Sequence, residues 1–240
     1  MWISKYFIDF IIISFLGWAW ETIYNIGHER KWIRRGFLYG PICPIYGVGA
    51  LLGITLIKCF QISFGYTLVW WHIALASFLG STILEYITGW VLEKIFHAYW
   101  WDYSDLRFHY KGRICLSASC AFALAGLLIV YFLMPVCDAI TTWLPGTAID
   151  LIFILFLVIF VMDMTLTIST LTEFEKMITD MDDGFNERMA DVVDNIFRTS
   201  NKYYRKTISR VKGFRYPKIS QEKIQKLFDS MRSDKQSESQ

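Results

Sequence analysis

Long apolar runs fill the first 171 positions of this 240-residue chain, and the remainder turns abruptly polar. At ~1.5 Å rise per residue, about 20 predominantly apolar residues make a helix long enough to cross a hydrocarbon core. Five stretches reach or approach that length: residues 6–26, 37–59, 66–92, 114–134 and 147–170. They predict an all-α fold, a polytopic helical membrane bundle of five transmembrane helices within residues 1–171. Trp70, Trp71, Trp100, Trp101 and Trp143 stand near the expected ends, where amphipathic rings settle at a bilayer interface. The first run has no basic leader, and Trp18, Trp20 and Glu21 occupy the place of a cleavage site, so it reads as a retained span.

The tail, residues 172–240, follows another period. Phe174, Ile178, Met181, Phe185, Met189, Val192 and Ile196 recur every three or four residues, which is a helical stripe. Residues 173–194 hold eight acids and two bases, whereas residues 198–218 hold eight bases and no acid. A second short amphipathic helix is expected over 220–232, followed by a disordered end. The basic run from Arg198 to Lys218 lies close to the last span along the chain. Attraction to anionic lipid is the economical reading, at about 1 kcal/mol per basic residue near the surface. A solvated helix face is the plainer alternative, and nothing else in the chain argues for nucleic acid.

Charge then orients the bundle. Only 19% of the residues are charged, against 54% hydrophobic and 18% aromatic, a balance poor for a soluble domain. The connection after the first run carries Arg30, Lys31, Arg34 and Arg35, and that after the third carries Lys94, Arg107, Lys111 and Arg113. On the other side stand only Lys5 and Lys58. Basic loops stay in the cytoplasm, so the N-terminus is expected outside and the tail inside a cell membrane. A weak internal echo accompanies this: Phe15-Leu16-Gly17 precedes Glu21 as Phe78-Leu79-Gly80 precedes Glu85, and each basic loop ends in an Arg and Gly pair. A duplicated helical hairpin would produce it.

Within the spans the ionisable residues stand out, because each costs roughly 2.5 to 3.5 kcal/mol at a helix centre on insertion scales. Glu21, Glu85 and Asp163 are expected at about one depth, roughly 7 to 12 Å below the cytoplasmic surface. Arg35 and Arg113, at the starts of spans two and four, are the expected partners. Such ions either clamp the bundle or line a site for a substrate or ion. The stretch Gly36 to Gly47 holds two prolines, Pro41 and Pro44, and three glycines, with Gly40 and Tyr46 among its residues. Proline removes a donor and clashes with the preceding turn, so a kinked or non-helical segment is expected at membrane depth. If helix resumes at Pro44, its free amides would face the carboxylates or an anionic ligand. A simple packing kink is the alternative. Trp101 and Asp102 lie in an aromatic loop where Asp102 could hold an arginine or cap a turn.

Metal and cofactor chemistry find little support. The histidines at 28, 72 and 97 lack ligand spacing, and the five cysteines lack a paired motif. Cys43, Cys115 and Cys120 read as buried thiols, and with Cys59 and Cys137 both expected outside, the topology would permit a disulfide between them. No phosphate-binding loop of the Gly-rich Lys-Ser type is present, so the chain is not itself an ATPase of that kind.

Several segments together resemble the CmpB-type ABC transporter permease family, ABC-transporter type IV. They are Gly17-Trp18 with Glu21; Arg35-Gly36-Phe37-Leu38-Tyr39-Gly40-Pro41; Pro44-Ile45-Tyr46-Gly47; Leu84-Glu85-Tyr86; Glu93-Lys94-Ile95-Phe96; Trp101-Asp102-Tyr103-Ser104; and Gly112-Arg113-Ile114-Cys115-Leu116. The resemblance covers about residues 15–128 and leaves span five, Asp163 and the tail outside. Arg34 and His109 stand where the family pattern has asparagines. The resemblance implies a permease-like protein of the lipid bilayer with a separate ATPase subunit as partner. Two other readings stay open: a membrane scaffold acting through its tail, and an intramembrane lipid-modifying enzyme using the carboxylates as acid and base.

Overall fold

The computed structural model describes residues 2–29, 36–65, 68–182, 207–208 and 210–214. Its main elements are α1 (Trp2–Glu29), α2 (Pro44–Phe64), α3 (Trp70–Phe96), α4 (Leu116–Leu128), α5 (Met134–Trp143) and α6 (Gly146–Asp182). A π-helical turn, Ile129–Leu133, joins α4 to α5, so the described residues hold five helical spans long and apolar enough to cross a membrane. The expected polytopic helical bundle is the fold observed. Leu151, Ile154, Leu155 and Val158 of α6 point outward, as side chains facing lipid do.

α1 packs on α2 and on α6, α3 packs on α4, and α2 touches α3. Hydrocarbon gives apolar helices no reason to associate, so close packing of small residues has to hold them. Gly47 of α2 lies against Phe10 and Ser14 of α1, where a Cβ would come within 2.7 Å of the Phe10 carbonyl oxygen. Thr82 and Ser119 hydrogen-bond across α3 and α4 at 2.8 Å. Phe10, Ile11, Leu38 and Ile42 form a buried cluster with Phe160 and Met164 against it.

Three boundaries depart furthest from the expected ones. The second span begins at Pro44, because residues 36–41 are bends held out of helix by Pro41 and Pro44. The fourth continues to Trp143, past the expected stop at 134. Pro135 should break it, but the wider π turn just before it gives the ring room beside the preceding carbonyls. The last helix runs to Asp182 and so carries the start of the tail's stripe, with Phe174 buried. The stripe beyond it, Phe185 to Ile196, and the second tail helix at 220–232 lie outside the described residues.

Short strands, which the periodicity does not announce, organise the long third loop. β2 (His109–Tyr110) pairs with β3 (Ile114–Cys115), and β1 (Ala98–Tyr99) pairs with β4 (Gly213–Phe214) from the tail. All five cysteines are free; Cys43, Cys115 and Cys137 are buried, while Cys120, against expectation, faces outward.

Candidate functional site

The broken stretch before α2 is fixed from two sides. Gly36 takes φ 109°, open to glycine at little cost. Its neighbours turn back so that the Tyr39 and Gly40 amides donate to the two oxygens of Asp163 on α6, at 2.8 and 2.7 Å. A Cβ on Gly40 would sit 2.9 Å from Asp163 Oδ2, so a larger residue here would push the carboxylate aside. The Cys43 amide donates to the Ser14 carbonyl at 3.0 Å. Backbone donors that water would otherwise satisfy are therefore paired inside the bundle. The amides that meet a carboxylate are those of Tyr39 and Gly40, ahead of α2, rather than those of the α2 N-terminus.

Glu21 and Glu85 each have a tyrosine. The Tyr46 hydroxyl donates to Glu21 Oε1 at 3.0 Å, and the Cys43 thiol approaches Glu21 Oε2 at 3.8 Å. The Tyr103 hydroxyl donates to Glu85 Oε1 at 3.0 Å. Glu85 is 5% exposed, and its Oε2 receives no hydrogen bond among the described residues. The two carboxylates share an electrostatic neighbourhood. Burial, then Glu85 beside it and Glu21 farther off, hold the Tyr103 phenol far above its usual range. It stays a protonated donor. Burial and Glu21 likewise push the Cys43 thiol far up, and Arg210 of the tail opposes that rise.

Arg113 makes different contacts from those expected. Its guanidinium donates to Glu93 Oε2 through Nη2 at 2.7 Å and Nε at 3.1 Å, and lies over the Tyr86 ring. Its carbonyl accepts from Trp101 Nε1 at 2.9 Å. Asp102 Oδ1 takes the Ser104 amide at 3.0 Å and hydroxyl at 2.5 Å and so caps the turn. Gly112, at φ 69°, gives its carbonyl to the Tyr103 amide at 2.9 Å. Trp101, Asp102 and Arg113 thus shape the loop that presents Tyr103 to Glu85. Arg35 lies outside the described residues.

Arg210 was not among the expected site residues. It is 5% exposed, donates to the Tyr39 carbonyl and stands 4.8 Å from the centre of the Tyr39 ring. Lys212 donates its amide to the Tyr99 carbonyl at 2.9 Å and its ammonium to the Asp102 carbonyl at 3.2 Å. These two bases of the expected lipid-binding run contact protein. A second polar cluster, also unforeseen, lies toward the other end of the bundle. Lys5 pairs with Asp138 at 2.6 Å, and the wholly buried Asp9 has no hydrogen-bond partner among the described residues. No group of histidine, cysteine and acidic side chains among the described residues could hold a metal ion.

A multi-span helical bundle whose paired carboxylates lie beside non-helical backbone belongs to the class of polytopic membrane proteins. The family model described as Putative ABC-transporter type IV matches residues 8–168, more than half of the chain, and the chain belongs to that family. The match reaches beyond the segments that carry the resemblance in the sequence and takes in the fifth span with Asp163. No curated protein and no solved structure matches the chain.

Proposed function

We propose that this chain is a permease-like membrane component that moves a small solute, with a separate ATPase subunit supplying the energy. Glu21 with Tyr46 and Glu85 with Tyr103 form its polar site, near the cytoplasmic face if the N-terminus is outside. Gly36, Gly40, Pro41 and Pro44 make the irregular wall. Trp101, Asp102 and Arg113 brace the loop above it. The observation that carries this reading is the buried Glu85 carboxylate, one oxygen held by Tyr103 and the other without a partner among the described residues. A purely structural clamp has no use for an open acceptor, since a buried polar group left unpaired is costly. Family membership supports the transporter assignment at its coarser level.

Uptake profiling by mass spectrometry tests it, comparing cells that express the wild-type chain, Glu21→Gln and Glu85→Gln at equal membrane levels. Both variants should abolish whatever solute difference the wild type produces. Unchanged profiles in both would overturn the assignment. The docking of the tail on the third loop favours a second reading, a scaffold or regulator acting through the tail. Removing residues 183–240 separates the two: a scaffold loses its effect, and a permease keeps its uptake.

A further inference from the structure

We infer that Asp9 is a proton-binding site within the bundle, and that Lys5 is shared between Asp138 and Asp9 according to whether the proton is bound. The inference concerns the polar cluster of α1 and α5, and stands or falls independently of Glu21 and Glu85.

Asp9 lies in the first half of α1, inside a span, and is 0% exposed. Neither of its carboxylate oxygens has a hydrogen-bond partner among the described residues. A carboxylate so placed has lost its water and gained no donor, one of the costliest arrangements in a membrane helix. A bound proton removes the charge and with it most of that cost. A metal ion would need several ligands, and no group of acidic, histidine and cysteine side chains among the described residues could supply them. A proton needs one oxygen.

The titratable groups of the surrounding helices each have their own engagement. Lys5 of α1 gives its ammonium to Asp138 of α5 at 2.6 Å. Lys58 of α2 donates to the Tyr6 hydroxyl at 3.3 Å and lies over the Tyr6 ring. Asp150 of α6 accepts from the Ser4 hydroxyl at 2.6 Å, and the buried Cys137 of α5 is within electrostatic reach of Asp9.

Lys5 and Asp9 are four residues apart on α1, so their side chains share a face of that helix. The lysine stem is long and flexible and carries three rotatable donors. Asp138, with its side chain 55% exposed, keeps water when Lys5 leaves, and Asp9 has none to keep. While the proton is on Asp9, Lys5 stays with Asp138 and ties α1 to α5. When the proton departs to water, the bare Asp9 carboxylate makes the stronger claim on the ammonium, and the tie is given up.

Infrared titration of the purified full chain in lipid nanodiscs tests this through the carbonyl band of a protonated carboxyl group. The wild type should show such a band at neutral pH that Asp9→Asn lacks, and lose it in a one-proton transition as pH rises. Asp138→Asn hands Lys5 to Asp9, so the proton should leave at a proton concentration at least ten-fold higher than in the wild type. Lys5→Gln should retain it to a concentration at least ten-fold lower. Because Asp138 acts by holding Lys5, adding Asp138→Asn to Lys5→Gln should move the transition less than half as far as it moves the wild type. Spectra of wild type and Asp9→Asn that superimpose at every pH overturn the site, and an equal effect of Asp138→Asn with and without Lys5 overturns the sharing. Loss of the band on exchanging choline for sodium at constant pH would make Asp9 a metal-cation site and overturn the proton assignment. Should Asp9→Asn not fold, isotope labelling of aspartate in the wild type and in Lys5→Gln takes its place. The band must then shift with the label and respond to Lys5, and a band that does neither overturns the inference.

Discussion

Arg113 was a natural partner for Glu85 by position along the chain, yet its guanidinium belongs to Glu93, with which it shares two hydrogen bonds. The pair is mostly but not wholly shielded, with side-chain exposures of 16% and 20%. Arg113→Gln removes both of these charge-assisted hydrogen bonds, and a loss of about 1–3 kcal/mol follows. Thermal unfolding in detergent should show it, and adding Glu93→Gln should restore part of the midpoint. An Arg113→Gln protein as stable as the wild type would remove the bracing role. The acids themselves were legible in the sequence, because charge within an apolar run is rare and conspicuous. Their partners were not. Tyr103 reaches Glu85 only because the loop folds back through the Asp102 turn, and Arg210 reaches Tyr39 only because the tail returns to the bundle. Neither path leaves a periodic trace.

Among the elements, α1 and α2 meet where their side chains are smallest. Gly47 has the Phe10 carbonyl oxygen within 2.7 Å of the place a Cβ would take, while Gly53, one and a half turns on, has nothing within 4 Å. Gly47→Ala should therefore destabilise the protein by about 1–3 kcal/mol through overpacking. Gly53→Ala should be neutral or stabilise by up to ~1 kcal/mol, since alanine is the better helix former. Unfolding midpoints of the two variants that moved together would show that α1 and α2 do not meet there. The five spans were readable because twenty apolar residues in a row have few other uses. The broken start of α2 was readable from Pro41 and Pro44. The continuation through Pro135 was not, since the π turn that tolerates it comes from backbone geometry rather than residue type. β1 and β4 are two residues each, too short for any alternation to appear.

At the scale of the molecule, the described residues of the tail near Arg210 pack against the bundle and its third loop. The sequence divides them sharply by charge, which is true of composition and misleading about contact. Of the basic run, Arg210 and Lys212 donate to the carbonyls of Tyr39 and Asp102. The register makes this testable without any ligand: Ala98 stands opposite Phe214, and Tyr99 opposite Gly213. Residues directly opposed across antiparallel strands lie ~4.5–5.5 Å apart at Cα, within the span a disulfide bridges. With the five native cysteines replaced, Ala98→Cys with Phe214→Cys should cross-link readily in membranes, and far faster than Ile87→Cys with Phe214→Cys as a control. Cross-linking no faster than the control, in protein that remains folded, would contradict the docking of the tail on the third loop.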